Sequence, residues 1–204
     1  MLPPREASRP VEIDEAEALR AEAYGMLARL LIRPPDATLL DIVSGLRGDD
    51  STVGQVVAEL AGEARATTPA AASDEYHELF IGIARGELLP YASYYLTGFL
   101  HEKPLARLRA DMARLGIERA SGIAEPEDHI AGLCEMMAGL ITGNFGAPAD
   151  LAQQHGFFDR HVGCWAKRFF DDLSNARAAR LYRPVGRFGS LFMTVESDAF
   201  AMAA

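Results

Sequence analysis

The sequence predicts an all-α protein: a single compact helical domain of about eight to ten helices, in two groups joined by a central loop. Apolar residues recur at three- and four-residue spacing along almost the whole chain, the period of a helix with one buried face. No segment alternates with period two, and the β-branched residues sit inside helical stripes. Proline, glycine and Asp/Ser clusters interrupt the stripes at helix-length intervals.

The first stripe covers residues 14–32, with Ala16, Leu19, Ala23, Met26, Leu27 and Leu30 on one side. Arg33-Pro34-Pro35 stops it, because proline disfavours helix in the residue before it. Asp36 caps a short helix carrying Leu39, Leu40, Val43 and Leu46. The turn cluster Gly48-Asp49-Asp50-Ser51 precedes a third helix with Val53, Val56, Val57, Leu60 and Ala64. Pro69 suits a first helical position and opens a fourth, with Tyr76, Leu79 and Phe80. Residues 82–90 read as a glycine-rich loop and the natural hinge; 91–99 read as a short aromatic helix or turn. Residues 104–115 are amphipathic with Leu105, Leu108, Met112 and Leu115 inward, and 116–124 form a second loop. Residues 126–141 return to helix and 143–147 break it. Pro148 opens one long helix to about residue 173, through Leu151, Phe158, Val162, Trp165 and Phe169. The last helix, from about 178, contains Pro184 and two glycines, so it begins late or kinks. Leu191, Phe192, Val195 and Phe200 form its inner face.

Composition narrows the function. A net charge of -9 argues against a nucleic-acid partner, which needs a basic surface to neutralise phosphates, and permits a basic peptide. No run approaches the roughly 18 apolar residues of a membrane span, so no membrane insertion is expected. Residues 1–12 are polar and proline-rich, a loose tail ahead of a domain at 13–204, without a signal-peptide core. A cytoplasmic location follows as the expectation. Cys134 and Cys164 form no CxxC pair and read as small buried residues of a reducing compartment.

Catalytic patterns fail one by one. His77-Glu78 begins like a zinc-protease helix, but Ile81 stands where the second histidine is needed. His101-Glu102 fails likewise at Leu105. No Glu-x-x-His pair, phosphate-cradling glycine loop or nucleophile elbow occurs, so no metal and no cofactor is expected. One stretch stands out: Glu125-Pro126-Glu127-Asp128-His129. Proline and acids suit a helix start and its dipole. The same stretch also suits a polar recognition cluster at the mouth of a groove, since Glu125, Asp128 and His129 stand three and four apart. Both readings stay open on the residues alone.

Three segments in order resemble the TorD/DmsD/NarJ family of redox-enzyme maturation chaperones. Tyr76-His77-Glu78-Leu79-Phe80-Ile81-Gly82 is similar to the family's aromatic-x-x-Leu-Phe-x-Gly helix end. Pro90-Tyr91-Ala92-Ser93-Tyr94-Tyr95 resembles its Pro-aromatic-x-Ser-x-aromatic segment. Glu125 to His129 matches the Glu-Pro-x-Asp-His hallmark in full, and His161, Trp165 and Phe169 are spaced as in DmsD-like members. The resemblance covers about residues 76–169. Tyrosines stand at positions 76, 91 and 95, where many relatives carry tryptophan.

The resemblance implies a TorD-like all-helical domain and a non-catalytic cytoplasmic chaperone. Its partners would be the catalytic subunit of a molybdenum-cofactor enzyme and that subunit's twin-arginine signal peptide. The chaperone would be a monomer or a domain-swapped dimer. Two guanidinium groups followed by an apolar run call for an acceptor-rich edge beside a hydrophobic groove. Asp128 is then the polar contact, with Glu125 and Glu127 supplying field and His129 orienting Asp128 or meeting the peptide. Leu79, Phe80, Tyr91 and Tyr95 are candidates for the apolar wall, with Tyr76, Pro90 and Pro126 beside them. Ser93 caps a short helix or lines the site; His161 and Trp165 belong to the core or to the groove. The alternatives are a small cofactor- or nucleotide-binding helical protein, an acid/base enzyme using Asp128 and His129, and a helical adaptor without a groove.

Overall fold

The structure is a computed structural model that describes residues 13–119 and 125–203. The expected tail at 1–12 and the end of the loop expected at 116–124 lie outside the described residues. Among these, ten α-helices and no strand are found.

Several helices begin where a local acceptor meets their first free N–H groups. Asp14 opens α1 (Glu15–Ile32) by accepting from Glu17 N–H at 2.8 Å. Asp36 does the same for α2 (Ala37–Ser44), and Ser51 for α3 (Thr52–Ala66). Thr68 and Pro69 start α4 (Pro69–Tyr76), whose last residues widen into a π-helical turn, His77–Ile81. Gly82, at φ 62°, ends it. Next come α5 (Ala92–Thr97), α6 (Lys103–Leu115) and α7 (Ile130–Thr142). Asp150 and Gln153 form a reciprocal capping box on α8 (Leu151–Phe158). A second π-helical turn, Asp159–Gly163, precedes α9 (Ala166–Asn175), and α10 (Tyr182–Ala203) closes the chain.

The helices before and after residues 82–90 interlock. α1 packs against α7, and α10 packs against both α9 and α3. One continuous core results, with Tyr24, Phe157, Phe158, Phe169, Phe170 and Tyr182 fully buried. Small residues bring the last two helices together: a Cβ on Gly186 would lie 2.5 Å from the Ser174 nitrogen of α9.

Several expectations change. The helix expected from Pro126 starts only at Ile130. The long helix expected from Pro148 to about residue 173 starts at Leu151 and is divided at Asp159–Gly163. α10 begins late, with Pro184 in its first turn, where its missing N–H costs no hydrogen bond. Leu19 and Val195 face solvent, and Met193 and Glu196 turn inward in place of Val195. Cys134 is buried but Cys164 is exposed.

A buried carboxylate fixes the start of α10. Glu75, on α4, accepts the backbone N–H groups of Arg180, Leu181 and Tyr182 at 2.7–3.1 Å. Glu87 holds the preceding N–H groups of Arg177 and Ala178. Nothing in the local pattern of residues 75–87 signals this role, because the partner lies about a hundred residues away.

Candidate functional site

Two motif segments meet through their backbones. Residues 90–92 run antiparallel to 128–130: Ile130 N–H donates to the Pro90 carbonyl at 2.9 Å, and Ala92 N–H to the Asp128 carbonyl at 2.9 Å. This pairing seats the starts of α5 and α7 side by side.

Asp128 and His129 serve these two helix starts. Asp128 is 1% exposed, and its Oδ2 accepts the Ser93 N–H at 2.8 Å, capping α5 from another segment. His129 caps α7, its Nδ1 accepting the Ala131 N–H at 3.1 Å. Burial pushes the His129 imidazole down to about 4, against the opposing pull of Glu125 and Asp128. At neutral pH it is the uncharged acceptor that the cap requires. The edge of the Tyr91 ring meets the His129 ring at 5.1 Å. Ser93 is buried, as is Pro90. Pro126 and Glu127 thus lie ahead of the helix they were expected to start; His129 caps α7, and Asp128 caps α5 instead.

Glu125, Pro126 and Glu127, together with His129, face a cavity of about 310 Å³. Glu125, Pro126 and Glu127 form one side, and Glu135 of α7 another. Met112, Ile117, Met136 and Phe145 supply an apolar floor. The Tyr91 hydroxyl donates to Glu125 Oε2. Arg109 holds Glu127 at 2.8 Å, which with Arg119 keeps that carboxyl below its ordinary value although burial opposes it. Glu135 is exposed and makes no ion pair among the described residues. Gly132 lets the motif turn close onto α7, since a Cβ there would lie 3.2 Å from the Glu127 carbonyl.

The other expected residues fall elsewhere. Tyr76, Leu79 and Phe80 are core residues; the Tyr76 hydroxyl donates to the Leu31 carbonyl at 3.3 Å, and its ring packs on Phe80 and Tyr182. Tyr95 lies in a separate aromatic cluster with Trp165 and Phe169, its hydroxyl on Asp172 at 3.0 Å. Trp165 is buried, and its Nε1 donates to the His161 carbonyl. His161 is buried against Asp111, Nε2 to Oδ2 at 2.7 Å. Burial would raise the Asp111 carboxyl, but hydrogen bonds from His161, Arg114 and Arg160 outweigh it and bring it to about 2.

Sequence reading missed the cavity's floor. Its one available signal was the α7 face itself: Gly132 and Met136 follow His129 at three and seven residues, so they share its side. Met112, Ile117 and Phe145 come from other elements and carry no such signal.

Asp128→Ala is expected to lower stability by about 2 kcal/mol, because it strips a cap and leaves a buried N–H without an acceptor. Asp128→Asn keeps an acceptor and should recover most of the loss. Urea unfolding of the two variants checks this; equal losses would show that charge, not the hydrogen bond, matters.

The structure matches that of an Archaeoglobus fulgidus protein assigned to redox enzyme maturation, with a TM-score of 0.57 over 93% of this chain and 99% of that one, at 19% identity. Residues 46–171 match the nitrate reductase delta subunit family, and the chain belongs to that family. Among its relatives is the chaperone protein TorD of Vibrio cholerae serotype O1 (strain ATCC 39541), 30% identical over 126 residues, 58% of this chain and 57% of TorD. The chaperone protein TorD of Aliivibrio salmonicida is 27% identical over 132 residues, 61% of each chain. The match thus spans only about three fifths of the length of these curated relatives. They are named as chaperones rather than as enzymes.

Among the described residues, no group of three His, Cys, Asp or Glu side chains could hold a metal ion. No described helix is long and apolar enough to cross a membrane.

Proposed function

We propose that this chain is a maturation chaperone for a molybdenum-cofactor oxidoreductase and that it binds the client's twin-arginine signal peptide in the cytoplasm, before export or assembly. The observation that supports the reading is the cavity at Glu125, Pro126 and Glu127, which joins a rim of four glutamates (Glu118, Glu125, Glu127 and Glu135) and one arginine, Arg119, to an apolar floor. Guanidinium groups pair well with carboxylates, and the flexible Met112 and Met136 side chains suit varied apolar residues. The polar contacts fall to Glu125, Glu127 and Glu135. Asp128 acts from inside, by holding α5 and the 90–92 segment against the rim.

Calorimetric titration with a twin-arginine signal peptide tests this. Binding in the micromolar range is expected, weaker for the double-lysine peptide, because lysine lacks the planar fork. Glu135→Lys should weaken binding about tenfold without changing the melting temperature, since one exposed charge pair contributes about 1 kcal/mol and reversal adds repulsion. No heat at high micromolar peptide would overturn the reading.

A further inference from the structure

The outer face of α6 carries charge of the opposite sign from the cavity. Lys103, Arg107, Ala110 and Arg114 follow at spacings of four, three and four, so they lie along one face, and all four are exposed. Beside this stripe are two hollows of about 510 and 270 Å³ that share Arg160 as a wall. Leu96, Ala110 and Cys164 line the first; Leu115 and Ala152 line the second. Together they form a groove between α6 and α8 with its π-helical turn.

One carboxylate in this groove is already engaged. Asp111 is buried, and its two oxygens take Arg114, Arg160 and His161. Asp159 contacts His155 at 3.0 Å and stays 61% exposed, so among the described residues it is the one carboxylate open at this edge, against Arg107, Arg114 and Arg160. Arg107 and Lys103 make no ion pair among the described residues, and the Arg160 side chain, held at Nε by Asp111, stays 54% exposed. A cationic groove with an apolar floor thus lies on a chain of net charge -9.

We infer that this groove is a second docking site, for an acidic peptide segment carrying an apolar side chain between two carboxylates. Arg107 and Arg114 are seven residues apart, about 10 Å along the helix axis. In an extended peptide alternate side chains share a face, so carboxylates four residues apart, about 13 Å, flank an apolar side chain on the same face and lie within reach of the two long arginines. Its carboxylates would meet the two guanidinium groups while the apolar side chain lies between them on Leu96 and Ala110. A long polyanion such as nucleic acid fits poorly, because beyond the groove it would meet an acidic surface. The two sites would select segments of opposite charge, so one client could engage both without competition.

Fluorescence anisotropy tests the site with a fluorescein-labelled peptide in which two glutamates flank Ala-Leu-Ala, and with its lysine counterpart. The glutamate peptide is expected to bind in the micromolar range and to weaken with added salt; the lysine peptide should not bind this face. The double variant Lys103→Glu/Arg107→Glu should weaken the glutamate peptide about tenfold, through the lost Arg107 contact and the repulsion that both new carboxylates add. Neither residue holds a partner in the fold, so its melting temperature should stay unchanged. Glu135→Lys, at the other cavity, should leave the glutamate peptide's affinity as it is, which separates the two sites. Unchanged affinity in the double variant would overturn the inference. So would tighter binding of a single-stranded oligonucleotide of equal charge, lost in the same variant.

Discussion

Arg20→Ala should lower the free energy of unfolding by about 3–5 kcal/mol, read from the midpoint of a urea titration. Arg20, on α1, makes two hydrogen bonds of 2.7 and 2.8 Å to Glu196, on α10. Glu196 is 1% exposed, and the Tyr24 hydroxyl donates to it at 2.9 Å. Arg20 also donates to Gln154 of α8 at 3.0 Å, so a single guanidinium joins three helices. Without it the carboxylate stays buried, with Tyr24 its one remaining donor. Removing both charges, as in Arg20→Met/Glu196→Leu, should recover much of the loss, because an apolar pair needs no compensation. A loss below about 1 kcal/mol for Arg20→Ala would mean that water reaches Glu196 and that the pair contributes as a surface one does.

The second large effect is in pH. His129 titrates near 6.5 when unfolded, and burial lowers it to about 4 in the fold. Between these values the unfolded chain binds a proton that the folded chain does not. Stability from this residue is therefore complete above about pH 6.5 and is lost as pH falls toward 4. A shift of this size corresponds to about 3 kcal/mol. His161, also lowered by burial despite its bond to Asp111, acts in the same direction. His129→Asn offers an uncharged cap that does not titrate, so the variant should lose less stability than the wild type between pH 7.5 and 5. Equal pH profiles for the two proteins would assign the effect to other groups. Asp111, held near 2, contributes in a separate window below about pH 3.8.

Much of the helical order could be read locally. Asp14, Asp36 and Ser51 mark helix starts because each accepts an N–H within its own turn, and Pro69 because its fixed φ suits a first helical position. Two boundaries were misjudged because of partners elsewhere or a departure from the α-helix, whereas the start of α8, expected at Pro148, follows the local cap Asp150. Pro126 looked like a first helical residue, but residues 128–130 pair with 90–92 and hold the chain extended there. The division at Asp159–Gly163 leaves the apolar spacing of Phe158, Val162 and Trp165 intact, so periodicity alone could not reveal it.

The functional motif divides in the same way. Its five residues are contiguous in sequence and take different roles in the fold. Asp128 turns inward to cap α5, His129 caps α7 and also borders the cavity, and Glu125, Pro126 and Glu127 line the cavity. By itself the sequence determined the all-helical architecture, most helix starts and the segment around which the site forms, because helix period, caps and short motifs act over a few residues. Only the tertiary structure decided which member of Glu125 to His129 is a cap and which is a wall. It alone set Arg20 on Glu196 and Glu75 at the start of α10. Each of these depends on residues about 35 to 180 positions apart, whose meeting is fixed by core packing rather than by local preference.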